Sequence, residues 1–347
     1  MPEGHEGWDE YAPFYDWENA RTLGRRDVPF WRNLAIHAGG PVLELGCGTG
    51  RIALPLGRAG VTLVGIDRSE AMLARARGRV KRSSMAGRVQ LVRGDIRHLP
   101  FVSFSSQGRL KAAPTKSPEG RLKAAPTKSD ERAAAKSNVR TASTKSDVGP
   151  ASTKSNVGAA STKSDVGAAS TKFDVGPAST KFDVGAAFRR PGNGPFAMVM
   201  APYGVLQSLL REKDLAATLA SVHDVLAPGG RFGVELVADL PSWEEYRKRV
   251  SLTGWRQRRG GAHVTLVETV RQDRARKLTI FDQEFIERRG RTRRSRTFSL
   301  TFRTLTVPQM ARRLEKAGFI VDALLGDYHG APWDSRAEVW VILARRI

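Results

Sequence analysis

The chain has 347 residues, 40% of them hydrophobic and a single one of them cysteine. It is long enough to bury a core of its own, it excludes an internal disulfide framework, and with scattered histidines it offers no zinc-ligand set, so no metal is expected. The formal charge is +22, with residues 103–193 carrying 16 Lys+Arg against 7 Asp+Glu and the rest of the surplus spread along the chain; that spread favours a generally arginine-rich protein over a dedicated anion-binding face.

The opening MPEGHEGWDE is polar and acidic, unlike a secretory signal, and no apolar run approaches the ~18 residues of a membrane helix, so a cytoplasmic protein with no membrane partner is expected. YAPFYDWENARTLGRRDVPFW then supplies a helical segment rich in aromatics, with Tyr15, Trp17 and Arg21 among its side chains. PVLEL predicts a short buried strand. Gly46, Cys47, Gly48, Thr49 and Gly50 form a glycine-rich turn, and RIALPLGRAG a helix ending near Gly60. Strand, glycine turn and helix let a backbone approach a nucleotide closely. A dinucleotide fingerprint would put a small residue at position 51, where Arg51 stands.

VTLVGID predicts a second strand ending in Asp67, where a carboxylate can accept both ribose hydroxyls. Ser69-Glu70 opens an amphipathic helix through Met72, Leu73 and Ala76, and RVQLVRGDIRHLPF brings a third strand to Gly94-Asp95. A nine-residue unit, ASTKSDVGP, then recurs from Ala142, Ala151, Ala160, Ala169 and Ala178. Each copy offers one Val, with Phe173 and Phe182 added in the last two. That is too little apolar surface to offset backbone ordering, so 103–193 is expected to be a disordered low-complexity insert. AMVMA follows as the next buried strand, then a helix over Asp214–Ala227 closed by Pro228-Gly229-Gly230, and a fifth strand in RFGVELV. HVTLVETVRQD, KLTIFDQEFIERRG and RTFSLTFRTL alternate apolar with polar residues, as antiparallel strands do. Within them RRGRTRRSR, from Arg288 to Arg296, is expected to be the solvated turn of a hairpin, with a phosphate-bearing ligand as the other reading of its guanidiniums. Thr306-Val-Pro-Gln309 predicts a capping box, Gly318 a helix end, and FIVDALLGDY and EVWVILARR the last two strands.

The E-x-G-x-G-x-G spacing from Glu44 to Gly50, with Asp67 and Asp95 at the ends of the next two strands, resembles the class I, Rossmann-like S-adenosylmethionine-dependent methyltransferases. The extra alternating strands resemble the small-molecule N-methyltransferases of that class, in which an inserted sheet helps to cover the substrate. The resemblance implies an α/β fold. Its parts are a seven-stranded sheet with helices on both faces, an edge formed by the last two strands, and a small antiparallel sheet after strand 5, with the repeat loop before strand 4. The expected segments are an N-terminal helical lid (1–40), a cofactor half (41–102), the insert (103–193), and a second part (194–347) with the covering sheet at about 240–305.

It also implies S-adenosyl-L-methionine as cofactor. Gly46, Gly48 and Gly50 would pass under its methionine part and Glu44 would order that loop or meet the cofactor through water. Asp67 would hold the ribose, with Asp95 and the Ile96 amide at the adenine. Cys47, Arg68 and Ala201 would adjoin it, Tyr15 and Trp17 would close the site, and Arg21 would meet the cofactor carboxylate. Tyr203, Gln207 and Glu235 stand at strand ends that would face the methyl group, with Trp243 and Tyr246 as walls and His329, after Tyr328, as a base or a solvated loop residue. The expected reaction is methyl transfer to a small-molecule acceptor, nitrogen favoured. An RNA methyltransferase is the alternative that the charge supports, although MAPY stands where a planar-amine enzyme would carry N-P-P-Y. A silent protein that keeps the cofactor fold is the third reading.

Overall fold

The computed structural model describes residues 3–101, 196–238, 240–256 and 261–347. The insert at 103–193, and with it the expectation of disorder, lies outside the described residues. The elements run α1 (Trp8–Asn19), α2 (Val28–His37), β1 (Val42–Leu45), α3 (Ala53–Arg58), β2 (Leu63–Asp67), α4 (Glu70–Arg82), β3 (Val89–Arg93) and β4 (Phe196–Ala201). After a short 3₁₀ turn at Val205–Ser208 come α5 (Glu212–Val225), β5 (Leu226–Val237), β6 (Tyr246–Arg256), β7 (Ala262–Asp273), β8 (Leu278–Arg289), β9 (Thr292–Arg303), α6 (Val307–Lys316), β10 (Phe319–Leu325) and β11 (Val339–Arg346).

Local chemistry sets several of these limits. The Ser69 hydroxyl caps α4 by accepting from the Met72 amide, and Thr306 and Gln309 close a reciprocal capping box on α6, with Pro308 in its first turn. Gly318, at φ +89, ends α6 in a conformation that favours glycine. The glycine turn after β1 takes longer than expected to become helical, so α3 starts at Ala53 and not at Arg51. Likewise α5 stops at Val225, and the Pro-Gly-Gly stretch already belongs to β5.

Seven strands form one sheet in the order β10-β11-β5-β4-β1-β2-β3, the expected Rossmann-like class. β1 to β5 are mutually parallel, whereas β11 runs antiparallel to both β5 and β10. The chain order reverses between β1 and β4, which is where α/β sheets open a crevice at the carboxyl ends of their strands. Leu43, Val199, Phe232, Val234 and Ile342 are fully buried beneath α5 and α6 on one side, and Trp31, Ile52, Leu56 and Leu63 pack with α2 and α3.

β6-β7-β8-β9 form a separate antiparallel sheet. β7 alternates strictly between buried and partly exposed positions, so one face is turned inward. That face meets α1. Phe285 stacks on Phe14 at 4.2 Å and lies 5.7 Å from Phe298, while Tyr11, Trp17, Val264 and Leu266 complete the cluster. β6 is the strand that sequence pattern missed. It is an edge strand, paired to β7 alone, and it is largely exposed. Of the described helices, none is long and apolar enough to cross a membrane.

Candidate active site

The carboxyl ends of β1, β2, β3 and β4 meet in a crevice of about 1060 Å³, its open mouth included. Glu44, Gly46, Cys47, Gly48, Asp67, Arg68, Gly94, Asp95, Ile96 and Tyr203 line it, together with Gly4, His5, Trp8, Tyr15 and Phe302.

The loop after β1 is held by the strand beside it. Gly48 N–H donates to Asp67 Oδ2 at 2.7 Å, and Ser69 N–H to Oδ1 at 2.8 Å. Each carboxylate oxygen keeps a free lone pair for a ligand hydroxyl. Gly48 is left-handed, at φ +53, and a side chain there would meet nothing nearer than 4.0 Å, so the space above it is open to a ligand. A side chain at Gly46 would instead strike Val205 at 2.3 Å. Burial pushes the Cys47 thiol well up, and Gly65 leaves the room for its side chain; this is a packed thiol, not a nucleophile.

Glu44 is 3% exposed, and its Oε2 is buried without a hydrogen-bond partner. Burial pushes its carboxyl up to about 8; Arg51 pulls it down while Asp27 and Asp67 push it further up. Arg51 makes a two-pronged bond to the fully buried Asp27 at 2.6 and 2.7 Å, and its guanidinium lies 5.7 Å from the Tyr203 ring. Asp95 is braced by Arg97 through bonds of 2.6–3.0 Å and by Arg68 at 3.5 Å. Burial raises its carboxyl, but these arginines bring it below the usual range. Glu3 ties the same edge down through Arg68, Arg97 and Arg211.

Tyr203 is a non-glycine residue at φ +50, and Gly204 follows at φ +69. The strained turn is fixed by Tyr203 N–H donating to Glu235 Oε2 at 2.9 Å, while the Tyr328 hydroxyl donates to Glu235 Oε1 at 2.5 Å. Tyr203 keeps 38% of its surface exposed, yet its hydroxyl is desolvated and its ionisation is shifted upward, so the phenol stays protonated.

A model described as a methyltransferase domain matches residues 42–107. The demethylmenaquinone methyltransferase of Lactobacillus johnsonii is 31% identical over 109 residues, 29% of this chain and 44% of that protein. An S-adenosyl-L-methionine-dependent Diels-Alderase of a Neonectria species is 28% identical over 112 residues, 32% of this chain and 46% of that one. The chain thus spans under half the length of these curated relatives. Among solved structures, the CcbJ methyltransferase of Streptomyces caelestis superposes with a TM-score of 0.59 at 18% identity, over 100% of this chain and 99% of that one. A sugar N-methyltransferase from Streptoalloteichus gives a TM-score of 0.54 at 12% identity, over 96% and 93%. Residues 42–107 thus match a methyltransferase domain, and the fold is that of the class I S-adenosylmethionine-dependent methyltransferases. The cofactor of that class is S-adenosylmethionine, and the crevice fits it: an orphaned carboxylate oxygen on Glu44 for an ammonium, spare lone pairs on Asp67 for ribose hydroxyls, and open space above Gly48.

Several residues singled out in the sequence stand elsewhere. Arg21 lies over the Trp17 ring at 4.6 Å and donates to the carbonyls of Trp17 and Trp255, which spends it outside the crevice. Trp17 packs with Phe285 in the α1–sheet core. Gln207 is fully buried, and its carboxamide is committed to Val237, accepting from N–H at 2.7 Å and donating to C=O at 3.3 Å; it braces β5 and faces no ligand. Ala201 is buried in β4, pairs with Val234, and is not among the residues that line the crevice. Trp243 stacks edge-on with Phe281, and Tyr246 bonds Glu268, both away from the lining. His329 is exposed in the loop after β10, as the solvated reading has it. The arginine run does form the exposed β8–β9 hairpin end.

Arg51, Asp27, Glu3, Arg97, Trp8 and Phe302 belong to the site and its support, and sequence reasoning missed them. One signal was available: Arg51 is an arginine immediately after a nucleotide-type glycine turn, a place that begs for a partner.

Proposed function

We propose that this chain transfers a methyl group from S-adenosylmethionine to a small-molecule acceptor, with nitrogen favoured over oxygen or carbon. The observation that carries the proposal is the line of Glu44, the Gly46–Gly50 loop, Asp67 and Asp95 along consecutive strand ends, roofed by Tyr15, Trp8 and Phe302. When bound, S-adenosylmethionine supplies a methyl carbon activated by its sulfonium. Methyl transfer is an in-line displacement, so the chain must chiefly align the acceptor and exclude water. Asp67 binds the ribose hydroxyls, Asp95 and Ile96 hold the adenine end with Arg68 beside them, and Glu44 accepts from the methionyl ammonium. The aromatic roof shuts out water.

Tyr203 sits where the acceptor enters. Its phenol, kept protonated, donates a hydrogen bond that fixes the incoming nucleophile, while Glu235 acts as a positioning residue that holds the Tyr203 backbone. Support for nitrogen comes from the sugar N-methyltransferase and from a structure of an amino pentose methyltransferase of Micromonospora echinaspora with the cofactor bound, TM-score 0.51 at 15% identity. The exposed arginines of the β8–β9 end do not line the crevice, which disfavours RNA as acceptor.

The test is a methyl-transfer screen with radiolabelled cofactor against amines, amino sugars, amino acids and bulk RNA, with Asp67→Ala as control. Label appearing in small amines, and lost in the variant, is the expected result. Label in RNA alone would overturn the reading.

A further inference from the structure

Two consecutive left-handed residues, Tyr203 at φ +50 and Gly204 at φ +69, carry the backbone from β4 past the crevice. That conformation is unfavourable for a tyrosine, so the turn persists only where its surroundings hold it. The hold comes from β5. Gly204 N–H donates to the Glu235 main-chain carbonyl at 3.0 Å, and Tyr203 N–H donates to Glu235 Oε2 at 2.9 Å. Gly204 has no room for a side chain, since a Cβ there would strike Val237 at 2.7 Å and Gln207 at 2.8 Å. One residue therefore carries the turn twice, by its main chain at Gly204 and by its side chain at Tyr203.

The side-chain half of this hold depends on where the Glu235 carboxylate points. The residue is 4% exposed, and its other oxygen, Oε1, accepts from the Tyr328 hydroxyl at 2.5 Å. Burial and the facing carboxylate push the ionisation of that hydroxyl upward, so it stays a donor. Without the hydroxyl, Oε1 would be left buried and unpaired, and a carboxylate in that state turns towards another donor. Turning it takes Oε2 off the Tyr203 N–H.

Tyr328 comes from the connection between β10 and β11, and that connection is built to aim it. Asp327 Oδ1 accepts from the N–H groups of His329 and Ala331 at 2.8 and 2.9 Å. Gly326 N–H donates to the Ala331 carbonyl at 2.9 Å, and Trp333 N–H to the Leu324 carbonyl at 2.9 Å. The Tyr328 ring lies 5.8 Å from Phe30 of α2. Tyr203 lines the crevice and Tyr328 is not among the lining residues, so its hydroxyl reaches the site through Glu235.

We infer that Tyr328 is a positioning residue of the methyl-transfer site: its hydroxyl fixes the Glu235 carboxylate, and Glu235 in turn fixes the bend that presents Tyr203 to the acceptor. This rests on the methyl-transfer reading, which puts the acceptor at Tyr203. The bonds join the ends of β4 and β5 to the β10–β11 connection, whereas the cofactor residues stand at the ends of β1 to β3. Acceptor alignment should therefore respond to a change at Tyr328 and cofactor binding should not.

The experiment uses the full chain saturated with S-adenosylhomocysteine and follows hydrogen exchange of single amides by mass spectrometry. Tyr328→Phe keeps the ring and removes the hydroxyl alone. It is expected to speed exchange of the Tyr203 amide at least tenfold, with the Leu43 and Val64 amides and the affinity for S-adenosylhomocysteine within twofold of the starting protein. Glu235→Gln is the conservative variant, because a carboxamide can accept from Tyr203 N–H and donate to the Tyr328 oxygen; its Tyr203 amide should stay within threefold, whereas Glu235→Ala should lose the protection. With the amine that takes most label in the transfer screen, Tyr328→Phe should lower kcat at least fivefold and leave KM for S-adenosylmethionine within twofold. An unchanged Tyr203 amide in Tyr328→Phe, a Glu235→Gln amide as fast as that of Glu235→Ala, or an unchanged kcat overturns the inference. Faster exchange spread over the core strands instead of confined to the turn overturns it as well. Failure of S-adenosylhomocysteine to bind, or of any amine to take label, contradicts the methyl-transfer reading instead, so the two failures are told apart.

Discussion

Asp67 has two tasks that a single substitution separates from the rest of the site. Its carboxylate fastens the glycine loop through Gly48 N–H and the start of α4 through Ser69 N–H, and its remaining lone pairs face the crevice. Asp67→Ala is expected to weaken cofactor binding at least tenfold, about 1.4 kcal/mol or more, measured by calorimetry. Glu44 offers a different readout. Its native carboxyl titrates at about 8, above the ordinary value of 4.5, so the folded chain keeps a proton that the unfolded chain has released. That contribution to stability is complete below about pH 4.5 and is lost as pH rises through about 8. The melting temperature of the ligand-free protein should therefore fall between about pH 5 and pH 9, and Glu44→Gln should flatten the slope; Glu18, held at about 7, adds to the same trend. A profile unchanged by the substitution would contradict the burial argument. The place of Glu44, Gly46, Gly48, Asp67 and Asp95 along the crevice was legible beforehand because their spacing sits inside continuous strand-turn-helix units, whereas Gly50 stands against Leu54 and Ala76 and is not among the lining residues. Arg51 was not legible, because its meaning depends on Asp27, whose buried position comes only from the folded packing of α2. Arg21 misled because it shares an aromatic segment with Tyr15, and sequence alone does not say which side of the segment meets the crevice.

At the scale of elements, α1 is held to the antiparallel sheet by rings. Phe285 lies at the centre, in contact with Phe14, Tyr11, Trp17 and Phe298. Truncating a buried aromatic removes its transfer free energy and leaves a cavity, so Phe285→Ala should cost about 3–5 kcal/mol. Urea unfolding followed by tryptophan fluorescence checks this, and a loss under 1 kcal/mol would show that the sheet does not depend on the stack. The strands β7 to β9 were readable because half-buried strands alternate with period two. β6 was not, because an edge strand is free to carry Arg247, Lys248 and Arg249, which suit an exposed edge but hide the alternation. The capping box of α6 was readable to the residue, since its two hydrogen bonds join side chains only three positions apart.

At the scale of the molecule, the seven-stranded sheet places the crevice at the reversal between β1 and β4, and Trp8 and Tyr15 of α1 with Phe302 of β9 help to line it. The repeats fall in the sequence between β3 and β4, a connection that is normally short. Replacing 103–193 by a short Gly-Ser linker is expected to leave cofactor affinity within twofold, since the described residues from Glu44 to Arg97 and from Pro202 to Leu209 already form a crevice; a loss above tenfold would give the repeats a part in the site. Net charge, by contrast, was a poor guide. The +22 surplus is spread along the chain, which favoured a generally arginine-rich protein over an anionic partner, and the densest arginine run is displayed on a hairpin end apart from the crevice lining. The most direct test of the whole account is a calorimetric titration of S-adenosylmethionine into the full chain. One saturable site per chain, lost in Asp67→Ala, is the predicted result. No heat of binding from a folded chain would contradict it.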